Sequence, residues 1–155
     1  VEWDGTMYHA YVWPDEPRPS YVYDEDANGA FLIRNSDNVE IDNTCEYLMV
    51  HFRLYSQRLP YDVWLNGAWP YDNFAPKYLM TWNDEQQLYE ADVWLKQGYY
   101  NYQYLTLTPE GSYVVVPSEG NFYQTENQYQ ALVYYRAPGG RTDRLVGYAN
   151  VRLTK

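Results

Sequence analysis

Asp24, Asp26, Asn28 and Gly29 are the first residues along the chain whose types and spacing could do chemistry. Carboxylates at the first and third positions of a loop, followed by Asn-Gly, give hard oxygen ligands and a sharp bend, the opening half of a calcium loop. The closing half is missing, because the twelfth position is Asn35 rather than a bidentate Glu and the flanks carry strand patterns. The residues are therefore read as an Asn-Gly β-turn. His9 and His51 each lie inside a strand pattern with no HxH or HExxH neighbour, and are read as strand histidines rather than zinc ligands. Asp84 with Glu85, and Glu90 with Asp92, are carboxylate pairs of the kind that glycoside hydrolysis uses ~5–9.5 Å apart. In a chain with 21 acidic residues such pairs arise freely, and Glu90 and Asp92 fall on one solvated face of a strand. No Ser stands in a GxSxG frame, no glycine-rich loop opens a helix, and neither His has a Ser or Cys companion at a telling spacing. The expectation is a protein that is not an enzyme and uses no cofactor or metal.

Aromatic rings are the other candidates. Trp64, Trp69, Tyr71, Phe74, Tyr78 and Trp82 crowd around Asn66-Gly67-Ala68, and rings on a loop can stack on sugars or fill a partner's pockets. Trp64 and Trp82 lie in or beside strand patterns and are expected in the core. Trp69, Tyr71 and Phe74, together with Phe122, Tyr123 and Tyr129 of the segment 122–129, are the candidate contact residues.

The elements that must carry these residues are strands. Alternating or continuous β-type runs cover 7–12, 30–34, 46–55, 62–65, 88–95, 99–107, 113–116, 129–136 and 145–153. Turn signals separate them at Asn28-Gly29, Asn66-Gly67, Gln97-Gly98, Pro109-Glu110-Gly111 and Pro138-Gly139-Gly140. In residues 46–55 the even positions Leu48, Val50, Phe52 and Leu54 form a core face opposite Tyr47, Met49, His51, Arg53 and Tyr55. Tyr100, Tyr102 and Tyr104 form a similar one-sided ladder. Short strands at such spacing predict an antiparallel all-β sandwich. One domain over 1–155 is expected, with residues 1–43 a lead-in hairpin or edge strands and residues 44–155 the main sandwich.

Composition supports this. The 155 residues include 20 Tyr and 6 Trp, so a 46% hydrophobic content coexists with a mean hydropathy of -0.67. A formal charge of -10 repels phosphate backbones and argues against nucleic acid and anionic lipid as partners. Cys45 stands alone, which excludes an internal disulfide, and is expected in the core. No stretch reaches the ~18 apolar residues of a membrane helix, so no membrane insertion is expected. The start at Val1 without Met is read as a cut from a larger protein.

The stretch from Tyr61 to Leu107 is similar to the glycogen-binding, early-set immunoglobulin-like modules. The likeness lies in Asn66-Gly67-Ala68-Trp69, Met80-Thr81-Trp82, a turn at Asp84, Leu88-Tyr89-Glu90-Ala91 and the run from Lys96 to Tyr104. Further on, Glu119 to Tyr129, Leu132-Val133-Tyr134-Tyr135-Arg136 and Gly140 to Tyr148 resemble the closing segments of the type 9 secretion system plug protein family of Bacteroidota. With Tyr23 to Phe31 the match spans nearly the whole chain and covers that family's C-terminal part. The resemblance implies a periplasmic protein, associated with the outer membrane, that binds the translocon barrel protein and closes its periplasmic opening when no cargo fills it. The likeness to glycogen-binding modules implies an alternative, a carbohydrate-binding module using Trp69, Trp82, Asn66 and Lys96.

Overall fold

The alternation in residues 47–55 sets the frame of the molecule, a computed structural model that describes residues 1–23, 31–35, 42–68 and 75–152. Those nine residues form strand β4 (Tyr47–Tyr55), with Val50, Phe52 and Leu54 buried and the odd positions turned to the other face. Strand β7 (Leu88–Lys96) pairs with it antiparallel from Tyr47↔Lys96 to Tyr55↔Leu88, and buries Tyr89, Ala91, Val93 and Leu95 on the same side. Strand β6 (Thr81–Asn83) flanks β7, while β2 (Tyr8–Tyr11) flanks β4 and β1 (Glu2–Trp3) lies outside it, giving the order β1-β2-β4-β7-β6.

A second sheet covers the inner face. Its order is β10 (Tyr113–Val115), β9 (Tyr102–Leu107), β5 (Val63–Gly67), all antiparallel. Phe52, Leu54 and Val93 meet Val63, Leu65 and Tyr104 between the two sheets, closed by Tyr78, Met80 and Val116. Each such side chain contributes roughly 1.5–3 kcal/mol on full burial, and the result is an all-β sandwich with one core. Strand β3 (Phe31–Ile33) pairs with β8 (Gly98–Tyr100) as a separate short ladder. Gly98 is required there, since a Cβ would stand 2.5 Å from the Leu32 carbonyl oxygen.

Two features differ from the sequence pattern. β2 runs parallel to β4, from Tyr8↔Leu48 to Tyr11↔His51, where antiparallel pairing is expected throughout. The long connection between them gives the chain room to cross back, as a parallel pair requires. Beyond β2 the proline-rich segment stays extended along β4: Asp15 N–H donates to the Arg53 carbonyl and Tyr55 N–H to the Asp15 carbonyl, each at 2.8 Å. Residues 1–15 therefore extend the main sheet at its edge. Second, Asn66 and Gly67 are not a turn but the last two residues of β5, held opposite Gln103 and Tyr102. The backbone divides into two compact units, Val1–Asn121 and Phe122–Lys155.

The second unit is a two-stranded hairpin, β11 (Gln128–Tyr135) and β12 (Arg144–Arg152), with a register shift between Val133 and Tyr134. At its turn Gly139 has a φ of +77°, Gly140 N–H donates to the Ala137 carbonyl at 2.8 Å, and Arg136 grips Asp143 through two hydrogen bonds of 2.7 Å. Among the described residues no helix is long and apolar enough to cross a membrane.

Candidate binding surface

The outer face of the five-stranded sheet gathers rings and charges into rows, because neighbouring strands align their odd or even positions. Parallel pairing of β2 with β4 brings the two histidines together. Asp4 Oδ2 lies 3.0 Å from His9 Nε2, His9 Nδ1 lies 2.8 Å from His51 Nε2, and His51 Nδ1 lies 2.7 Å from Asp92 Oδ1. A carboxylate only accepts, so both terminal ring nitrogens donate, and the central contact is a hydrogen bond only when it holds one further proton. Three protons on two rings thus satisfy every bond in the chain. Asp4 is held well below the usual carboxylate range, first by the Met7 amide and then by the Thr6 hydroxyl and amide. The Tyr11 ring stacks on His51 at 4.4 Å between centroids.

Beside this chain Arg53 Nε lies 3.7 Å from Glu90 Oε1, and Asn83 donates to Glu90 Oε2 at 3.1 Å. An open groove of about 530 Å³ runs here, bordered by Tyr11, His51, Arg53, Lys77, Glu90 and Asp92. Glu90 and Asp92 do share the outward face, but each is engaged by a basic partner, Arg53 and His51 respectively. Among the described residues no three His, Cys, Asp or Glu side chains converge where a metal ion could sit.

A second node pins the lead-in to the sandwich. The Tyr102 and Tyr104 hydroxyls both donate to Asp15 Oδ2, at 2.9 and 2.5 Å, and the Tyr104 amide donates to Glu119 Oε1 at 2.8 Å. Burial first, and the Asp15 charge second, push both phenols well above the ordinary tyrosine range. Burial also raises the Glu119 carboxyl, opposed by the Tyr104 amide and by Arg18. Two of the three ladder tyrosines thus bind one carboxylate. Tyr100, separated from the other two by the strand break at Asn101, instead donates to the Lys96 carbonyl at 2.7 Å.

Of the candidate contacts, Trp69, Tyr71 and Phe74 lie outside the described residues, as do Asp24, Asp26, Asn28 and Gly29. Trp64 and Trp82 are partly buried against the core, as expected, and Cys45 is buried. Asn66, Trp82 and Lys96 occupy separate places: Asn66 accepts from Gln103 on the three-stranded sheet, Trp82 packs edge-on against Tyr89, and Lys96 lies over the Tyr47 ring. Phe122 is half-buried, while Tyr123 and Tyr129 are exposed, at 84% and 54%.

Tyr129 has company that the sequence pattern missed. Paired residues share a face, so one face of the hairpin carries Tyr129/Val151, Ala131/Ala149, Val133/Gly147 and Tyr135/Arg144. The other carries Gln128/Arg152, Gln130/Asn150, Leu132/Tyr148 and Tyr134/Leu145. Every residue of both strands except Gly147 is exposed. Small residues at Ala131, Ala149 and Gly147 make a saddle between the aromatic ends of the first face.

A similar solved structure exists. It is that of a hypothetical protein from Parabacteroides merdae ATCC 43184, 40% identical, with a TM-score of 0.86 over 98% of this chain. The chain spans 39% of that protein's length. No protein-family model matches the chain, and no curated protein does.

Proposed function

We propose that the chain is a non-catalytic protein-binding module, the C-terminal part of a periplasmic plug that closes the outer-membrane translocon of type 9 secretion. The observation that carries this reading is the hairpin's apolar side chains, exposed on both faces. An exposed apolar patch of this kind marks an interaction site. The same residues, Leu132 to Arg136 and Gly140 to Tyr148, carry much of the resemblance to the plug family. The Bacteroidota source of the similar structure is compatible with that family. Plugging needs shape complementarity and reversible affinity rather than chemistry. The charges on the outer sheet face suit it, since Arg53 and Glu90, and His51 and Asp92, engage each other.

The test is co-purification of the full-length protein with the translocon from outer membranes. A triple variant, Tyr129→Ser, Val133→Ser and Val151→Ser, is expected to be lost from the complex while its sandwich unfolds at the same temperature as the wild type. Full retention of that variant in the complex would refute the hairpin as the contact.

A further inference from the structure

We infer that the hairpin's partner presents an apolar strip bordered by carboxylates, which Arg141 and Arg144 meet as the apolar face beside them is covered; this rests on the plug reading above. Charge is the first ground. Residues 122–155 hold five basic side chains, Arg136, Arg141, Arg144, Arg152 and Lys155, against Glu126 and Asp143. The other nineteen acidic and six basic residues all precede them. A chain of net charge -10 is therefore a unit of minus thirteen followed by one of plus three.

The placement of those cations is the second ground. Asp143 is consumed by Arg136, whereas Arg141, Arg144 and Arg152 form no ion pair among the described residues. Arg144 stands opposite Tyr135 at one end of the apolar face, and Arg141 lies in the adjoining turn. The strip from Tyr129 to Tyr135 is about 20 Å long at the usual rise per residue, so its cationic end is distinct from its middle. Two hairpins meeting face to face would gather like charges, which disfavours a second copy's hairpin as the occupant. An acidic border on the partner instead steers encounter and fixes register, while the apolar saddle governs how long the complex lasts.

The experiment uses the full-length protein and the purified translocon barrel, with association and dissociation rates followed at low and high salt. Arg141→Glu with Arg144→Glu is expected to slow association tenfold or more at low salt and to flatten its salt dependence. Val133→Ser with Val151→Ser is expected to act mainly on dissociation. Charge reversal that leaves both rate and salt dependence unchanged would overturn the acidic border and leave the plug reading standing. Absence of wild-type binding would overturn both. Self-association in sedimentation that charge reversal abolishes would make a second copy's acidic unit the occupant, and overturn the inference.

Discussion

Asp15→Ala removes the one acceptor that two phenols share. Tyr104 is only 2% exposed and its hydroxyl reaches Asp15 Oδ2 at 2.5 Å; the half-buried Tyr102 reaches the same oxygen at 2.9 Å. A buried hydroxyl left without its partner costs about 1–3 kcal/mol. Taking about 2 kcal/mol for Tyr104 and about 1 kcal/mol for Tyr102, which has water within reach, the variant loses about 3 kcal/mol. The backbone bridges of Asp15 to Arg53 and Tyr55 do not involve the side chain and remain. Equilibrium urea unfolding should show the midpoint fall by about 1–2 M with an unchanged slope. Tyr104→Phe leaves Asp15 its bond from Tyr102 and should cost about 1 kcal/mol. In that background Asp15→Ala should become cheaper by about 1–2 kcal/mol, since part of its damage is already done. Asp15→Asn, which keeps an acceptor but loses the charge, should fall between wild type and Asp15→Ala. A cost for Asp15→Ala under about 1 kcal/mol, or strict additivity with Tyr104→Phe, would refute the shared-acceptor reasoning.

The raised phenols make the sandwich sensitive to alkali. Their contribution is fully present below the ordinary tyrosine value near 10 and is lost as pH climbs toward the higher folded values, so stability should decline above about pH 10. Phenolate absorbance should appear for these two rings only as the fold is lost, and Tyr102→Phe with Tyr104→Phe should blunt the decline. Gly98→Ala drives a Cβ against the Leu32 carbonyl and should cost about 1–3 kcal/mol, read as faster amide exchange in the β3–β8 ladder; unchanged exchange there would contradict the close approach. The Asp4-His9-His51-Asp92 chain should be cooperative. His9→Gln and Asp92→Asn are expected to couple by about 0.5–1 kcal/mol in a double-mutant cycle, and additivity within about 0.3 kcal/mol would reduce it to independent contacts.

The strands were legible wherever a period of two ran long enough. Val50, Phe52 and Leu54 against His51 and Arg53 place β4 and its core face without reference to any partner. Its pairing with β2 was not legible, because four residues carry too little pattern to distinguish parallel from antiparallel register. That one ladder creates the histidine contact, so the contact was hidden with it. Asn66-Gly67 reads as a turn by local chemistry, yet the ladder to Gln103 and Tyr102 keeps it extended, tertiary pairing overriding a local preference. Among the residues proposed as contacts, Tyr129 stands out in the sequence as an aromatic near a loop. Val133, Tyr135 and Val151 do not, since alternation in β11 and β12 predicts an apolar face without saying whether anything covers it. The charge partition was written in the sequence too, but it acquires a meaning only once the boundary at Asn121 is known.

Reversible binding at the proposed hairpin contact follows from how little the hairpin alone can offer. Tyr129, Val133, Tyr135 and Val151 are each about half exposed, so covering them completely gains on the order of 1 kcal/mol apiece, about 4 kcal/mol together. Association costs at least about 4 kcal/mol in lost translational and rotational freedom. The apolar face by itself therefore gives little net affinity, so the complex dissociates readily and its occupancy depends on rapid encounter. Charges at such a border act chiefly on encounter and are screened by salt. A contact built this way closes quickly on a surface of the right charge and lets go without a large barrier. That is what a removable plug requires, and an obligate interface, with its larger and drier core, would not supply it.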